Sequence, residues 1–288
     1  PRIAALIARL KLQKFDQFAD GVLSFEDERG RVQRGQGFSS MDGSWRLVGG
    51  LSALTTALAD RLPDHRKRLA APVIKLEMRD DLCCATLANG EQITADQVVL
   101  ALPPRVAAQI EFSPALPAVT IQTMQGIATW MAGQAKAVAV YDTPFWRSEG
   151  LSGDAMSRKG PMVEIHDASP AQGGPYALFG FIGVPPQGRA DEHLLLQHLR
   201  AQLSRLFGPQ AAAPKQLYLK DWAYDPYTST EADKTPLNAH PTYGLPHEMT
   251  NLWNNKLHFA GTEVAPVFGG YIEGALEAAE NVVNALNL

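Results

Sequence analysis

The run 257-LHFAGTEVAPVFGGYIEGALEAAENVVNAL-286 decides how this chain is read. Lys256–Ala260, at its start, form a short apolar strand pattern that ends at Gly261-Thr262-Glu263. A proline-marked loop follows, then Gly269-Gly270, then a helical pattern starting at about Gly270. Ile272, Ala275, Ala279, Val282 and Leu286 fall on one side of that helix, and Glu273, Glu277 and Glu280 on the other. A helix N-terminus offers free N–H groups and partial positive charge, and glycines let a ligand approach the backbone. Gly261, Gly269 and Gly270 are placed for such an approach, although glycines at these positions also suit an ordinary strand–loop–helix turn, which is the simpler reading of their placement alone.

Working outward, a second apolar strand, Val98–Leu102, is stopped by Pro103-Pro104. Residues 73–94 read as two hairpins, turning at Asp80-Asp81 and Asn89-Gly90. Residues 21–37 form another plausible hairpin. Leu51, Leu54, Leu58 and Leu62 make a helical stripe after Gly49-Gly50, and Leu195, Leu199, Leu203 and Leu206 make a second, capped by Gly208. Residues 136–146, 176–184 and 216–225 read as strands, the last running into a loop, and Ile3, Leu6, Ile7 and Leu10 as the face of an opening helix. Long antiparallel stretches mixed with a few helices predict a mixed α/β (α+β) chain, part of it a nucleotide-binding sheet.

The bulk numbers describe an ordinary globular chain: 45% hydrophobic, 19% charged, net charge −4. The one dense basic cluster, His65-Arg66-Lys67-Arg68, is too short for a nucleic-acid footprint, so no nucleic acid is expected. No apolar run has membrane-spanning length, so no membrane partner is expected. The two cysteines, Cys83 and Cys84, are adjacent and point to opposite faces of a strand, which suits a reducing compartment and predicts a cytoplasmic protein. No Ser-His-Asp arrangement or metal-ligand spacing is present. The chain opens directly on a helical pattern with no initiating Met, which predicts that it begins inside a longer polypeptide.

The segment Phe259-Ala260-Gly261-Thr262-Glu263, followed by Gly270-Tyr271-Ile272-Glu273-Gly274-Ala275, resembles the C-terminal flavin-binding motif of the flavin-dependent monoamine oxidases. Further segments match that family in order: LVGGLSALTTALADRL (47–62), APVIKLE (71–77), ADQVVLALPPRVAAQIEFSPALP (95–117) and AKAVAVYDTPFW (135–146). The resemblance implies a two-domain fold. Residues 45–113 and 220–288 would be the remaining parts of an FAD-binding, Rossmann-like domain, and residues 1–44 and 114–219 a mixed-sheet substrate domain. It implies oxidation of a carbon–nitrogen bond in a small-molecule amine, with hydride transfer to flavin N5 and reoxidation by oxygen.

The resemblance also implies roles. Lys136 would hold a water near N5, although a lysine on an apolar strand can equally snorkel to solvent. Tyr271 would form one wall of an aromatic cage, and Trp222 would pack near the flavin ring. Val73 would meet the adenine through its backbone. Gly261, Thr262 and Glu263 would place backbone near the phosphate and ribityl chain. Tyr271 and Ile272 would aim helix N–H groups at the flavin's N1–O2 edge, and Gly270 before them would also bind the cofactor. The loop after Trp222 holds no cysteine, so FAD would be noncovalent. Tyr224 and Tyr227 are the candidates for a second cage wall.

The sequence departs from the family in lacking its opening G-x-G-x-x-G unit, so this chain alone is expected to be inactive. A hairpin also replaces the long helical insertion of larger members. Two other readings stay open: a related flavin desaturase or porphyrinogen-type oxidase, and a non-catalytic binding module.

Overall fold

The computed structural model describes residues 1–35, 41–235 and 237–286 and divides into two compact units. The first comprises Pro1–Arg9, Ala59–Ala132 and Ala223–Leu288; the second comprises Leu10–Leu58 and Gly133–Trp222. Elements are numbered in chain order.

In the second unit, a seven-stranded sheet has the order β14-β10-β13-β12-β11-β2-β3. Its strands are β2 (Val22–Glu26), β3 (Val32–Gly35), β10 (Ala135–Tyr141), β11 (Leu151–Ser157), β12 (Met162–Asp167), β13 (Tyr176–Ile182) and β14 (Gln216–Asp221). All pairs are antiparallel except β11 with β2. The hairpin expected at residues 21–37 is β2–β3, with residues 36 and 37 outside the described ones. Strand β10 alternates strictly between buried and half-buried. Ala135, Ala137 and Ala139 share one core with Leu195, Leu199, Leu203 and Leu206 of helix α6 (Glu192–Phe207). The alanines leave room for the helix, and each fully buried leucine contributes about 2 kcal/mol. The α6 stripe is buried as expected, and Gly208 ends the helix at φ +92°. Helix α5 (Phe145–Ser148) brings Trp146 into the same core, where its indole N–H donates to Asp167 Oδ2 at 2.9 Å.

The small ladder β1 (Lys14–Asp16) with β4 (Trp45–Leu47), and helix α2 (Ser52–Ala59), complete this part of the chain. Only Leu54 of the predicted α2 stripe is buried; Leu51, Leu58 and Leu62 are exposed.

The first unit contains a four-stranded sheet of order β7-β6-β5-β9, made of β5 (Val73–Arg79), β6 (Leu82–Leu87), β7 (Gln92–Ala95) and β9 (Glu111–Ser113). Both predicted hairpins are present. It also contains a parallel pair, β8 (Val98–Leu100) with β15 (Leu257–Phe259). Helices α1 (Arg2–Arg9), α3 (Pro104–Ala107), α4 (Ala118–Gly126) and α7 (Ile272–Ala285) surround these strands.

The boundaries differ from 45–113/220–288 and 1–44/114–219. Residues 45–47 pair with β1, so they join the second unit. Residues 114–132 join the first, because Met124 of α4 is fully buried in its core and Thr120 donates to the Glu248 carbonyl at 2.7 Å.

The acidic side of α7 is only partly solvated: Glu280 is exposed. Glu273 and Glu277 are buried. Glu273 accepts the Arg2 and Ile3 amides at 2.8 and 2.9 Å, capping the start of α1. Burial raises the Glu273 carboxyl, but those amides more than offset it and hold it well below the usual carboxylate range. Glu277 accepts the Val267 and Phe268 amides and so fastens the loop before α7.

A buried charged cluster crosses β11 and β12. His166 Nδ1 lies 2.7 Å from Asp154 Oδ1, and Nε2 lies 2.7 Å from Glu164 Oε1. Burial lowers the imidazole's pKa, but hydrogen bonds to the two carboxylates together push it above the ordinary value. A raised folded pKa contributes stability that is complete below the unfolded imidazole value and fades as pH rises through the folded one. Unfolding midpoints measured across pH are therefore expected to fall on the alkaline side of the imidazole range, and His166→Gln to flatten that limb. An identical limb in the variant contradicts this assignment.

Candidate active site

Parallel strands bind ligands beyond their C-terminal ends. β8 runs into Ala101-Leu102-Pro103 and β15 into Ala260-Gly261, with the Ala260 amide still bonded to the Leu100 carbonyl at 2.9 Å. At that end lies a cavity of about 650 Å³, a size that suits a small-molecule site. Its lining includes Leu102, Thr129, Trp130, Gly261, Glu263 and Gly270.

Two features of this cavity suit a polar ligand. Thr129 Oγ1 is buried without a hydrogen-bond partner among the described residues. Among the described residues, no side chain caps the N-terminus of α7, whose N-cap is Tyr271. Gly261 is required by the protein itself: an added Cβ would stand 2.8 Å from the Leu102 carbonyl oxygen. Thr262 Oγ1 donates to the Tyr271 carbonyl at 2.7 Å and ties the loop to the helix start. Glu263 is buried, and burial pushes its carboxyl up. An Arg105–Asp233 pair at 2.6 Å supports the neighbouring loop, where Asp233 also closes a capping box with Thr230.

The structure thus gathers Gly261, Thr262, Glu263 and Gly270 at one cavity. Tyr271 follows Gly270 and is 57% exposed, and Ile272 is also exposed. Val73 opens β5, away from the cavity lining. Gly269 and Gly270 are explained by the protein itself. A Cβ on Gly269 would meet Tyr243 at 2.4 Å, and one on Gly270 (φ +83°) would meet His240 Nε2 at 2.8 Å.

Tyr224 and Tyr227 do not stand against Tyr271. Tyr224 carries Lys234 Nζ over its ring at 4.7 Å, and Tyr227 is exposed. The ring facing Tyr271 is His240, with centroids 5.3 Å apart and planes 8° apart. Sequence analysis missed it because His240 sits in an irregular polar loop that carries no periodic signal.

Lys136 and Trp222 belong to the second unit. Lys136 is on β10, with Nζ 4.5 Å from the Phe181 ring centroid. The strand register places Lys136 beside Phe181 and Val138 beside Phe179, all on the sheet face opposite the α6 core. Burial pushes the Lys136 ammonium pKa down. Trp222, just past β14, receives Lys220 Nζ over its ring at 4.6 Å, and its amide donates to the Gln134 carbonyl. Arg189, also unpredicted, bridges Asp221 at 2.6 and 2.8 Å and the Gly133 carbonyl at 2.6 Å, fixing that strand end.

The sequence pattern described as "Flavin containing amine oxidoreductase" matches residues 5–287. The chain belongs to this family. It is 30% identical over 246 residues to a probable flavin-containing monoamine oxidase A of Dictyostelium discoideum, covering 82% of this chain and 52% of that protein. It is 27% identical to amine oxidase [flavin-containing] B of Sus scrofa, covering 84% and 46%. This chain therefore spans about half the length of these flavin-containing relatives. Among solved structures, wild-type putrescine oxidase bound to putrescine superposes with a TM-score of 0.78 at 17% identity, covering 99% of this chain and 85% of that one. Cyclohexylamine oxidase from Brevibacterium oxydans gives 0.73 at 19%, covering 98% and 84%. These likenesses establish the two-domain amine-oxidase fold. Among the described residues, no helix is long and apolar enough to cross a membrane.

Proposed function

We propose that this chain forms part of an FAD-dependent amine oxidase that oxidises the carbon–nitrogen bond of a small amine. The observation that carries this reading is the cavity beyond β8 and β15, lined by the orphaned Thr129 Oγ1 and by Gly270, which leads into the uncapped N-terminus of α7. FAD, held noncovalently, would supply the two-electron acceptor that takes a hydride equivalent from the amine's α-carbon and passes the electrons to oxygen. The substrate thereby loses a C–H and an N–H to become an imine, and oxygen leaves as hydrogen peroxide.

The chain's own residues supply placement and polarity. The α7 N-terminus favours a negative ring edge through its amides and dipole. The Tyr271 ring offers an exposed aromatic face to an ammonium group. Lys136 offers Nζ in a half-buried, ring-lined setting where burial pushes its ammonium pKa down, and in its neutral form the lone pair can accept a proton from, or orient, a water. Phe179 and Phe181 keep that face apolar.

The test is reconstitution with FAD of the full-length protein of which this chain forms part, given a panel of primary amines and read by peroxide release. Amine-dependent peroxide matched by imine or aldehyde product is expected. Bound flavin with no amine-dependent peroxide favours desaturase-type chemistry, and protein that takes up no flavin sinks the reading.

A further inference from the structure

The backbone around Thr129 is fixed on both sides. The Tyr243 hydroxyl accepts the Trp130 amide at 2.9 Å and donates to the Ala128 carbonyl at 2.7 Å. The Thr129 amide points at Asp233 Oδ1, 3.5 Å away, and the Thr129 carbonyl accepts the Ala132 amide at 3.2 Å. Within this frame the side-chain hydroxyl is the exception. Thr129 Oγ1 is buried with no hydrogen-bond partner among the described residues, and Thr129 lines the cavity beyond β8 and β15. A buried hydroxyl without a partner costs stability, and a valine of the same shape would avoid that cost. A ligand that supplies the partner offsets it.

The rest of the lining indicates what kind of group that partner is. Among the described residues that line the cavity, Glu263 alone has an ionisable side chain. It is buried, and burial, reinforced by the Asp233 carboxylate, pushes its carboxyl up. Arg105 is outside the lining, with its guanidinium committed to Asp233 at 2.6 Å and to the Gln125 carbonyl at 2.8 Å. The side chains here therefore give a phosphate no cation to pair with. A neutral group that donates and accepts hydrogen bonds suits them better.

We propose that Thr129 is a flavin-positioning residue: its hydroxyl bonds the uncharged ring-and-polyol part of the cofactor in this cavity, and the pyrophosphate lies outside it. The proposal rests on the FAD reading given above and adds a residue and an orientation to it. Of the phosphate and ribityl chain expected near Gly261, Thr262 and Glu263, the ribityl chain is the one this lining favours.

The experiment titrates apoprotein of the full-length chain with FAD and with riboflavin, which lacks the phosphates, and reads binding by flavin fluorescence. Thr129→Val keeps the shape and removes the hydroxyl; Thr129→Ser keeps the hydroxyl. Thr129→Val is expected to weaken both flavins by about tenfold, and by the same factor, because the missing bond belongs to the part they share. Thr129→Ser is expected to bind within about threefold of the wild type. Melting of the apoprotein gives a readout of opposite sign. Because the hydroxyl is unsatisfied until flavin arrives, Thr129→Val apoprotein is expected to melt about 2–4 °C above the wild type while holding flavin less tightly. A residue that only packs gives no such opposition. A Thr129→Val variant that weakens FAD but not riboflavin, leaves both affinities unchanged, or destabilises the apoprotein overturns the proposal, as does a wild type that binds no riboflavin. Anaerobic addition of a primary amine separates this from the oxidase reading. Flavin that binds as described but stays oxidised removes only amine oxidation, and flavin reduced by amine with the Thr129→Val affinity unchanged removes only the role of Thr129.

Discussion

Lys136→Met is expected to lower amine-dependent turnover by about 100-fold or more while leaving the flavin bound, the usual scale for a positioned proton-transfer group. Methionine keeps the length and apolar stem of lysine, so the β10 register with β13 and β14 and the contact with Phe181 are preserved. What disappears is Nζ. Because burial depresses its pKa, the neutral amine is available nearer to physiological pH than for a solvated lysine. The activity of the wild type is therefore expected to rise with pH as Lys136 loses its proton, and the variant to lack that limb. Steady-state peroxide assays across pH, normalised to flavin content, read both effects. A variant with turnover within a few-fold of the wild type means that Lys136 only packs.

Gly274→Ala is expected to unfold the loop–helix junction that shapes the cavity. A Cβ on Gly274 would lie 2.0 Å from the Phe268 carbonyl oxygen, 2.5 Å from its carbon and 2.8 Å from Thr262 Oγ1. Backbone cannot swing aside as a flexible side chain can. Moving it breaks the Thr262 bond to Tyr271 and the Glu277 bonds to Val267 and Phe268. Overpacking of this kind costs about 2–3 kcal/mol, which in a chain of this size lowers the melting midpoint by roughly 4–10 °C. Thermal melts and flavin retention after gel filtration measure it. An alanine variant that melts with the wild type and keeps its flavin shows that the loop has slack absent from this structure.

The contrast between α6 and α2 shows what periodicity conveys. Both carry leucines at helical spacing, yet Leu195, Leu199, Leu203 and Leu206 are buried, whereas Leu51, Leu58 and Leu62 are exposed. The pattern reports a face that calls for cover; it does not report what covers it. Strand β11 was illegible for the opposite reason. It is buried at almost every position yet contains Ser152, Gly153 and Asp154, whose polar groups are satisfied by tertiary partners such as Val22 and His166. The burial of Glu273 and Glu277 is not legible in the helical pattern, because their partners are backbone amides, which leave no mark in a sequence.

The site was legible where it is local. Gly261, Thr262, Glu263 and Gly270 are close in the chain, and they line one cavity. His240 reaches Tyr271 only through the course of a polar loop, so no spacing rule could have paired them. Gly269 and Gly270 are expected from the sequence to let a ligand approach the backbone, but tertiary packing on Tyr243 and His240 already accounts for glycine there.

The most direct test of the account is an anaerobic titration of the FAD-loaded protein with a primary amine, followed by the flavin's visible absorbance. The account predicts stoichiometric bleaching, one flavin reduced for each amine oxidised, with the colour restored by air. A bound flavin that stays oxidised in the presence of every amine in the panel contradicts it.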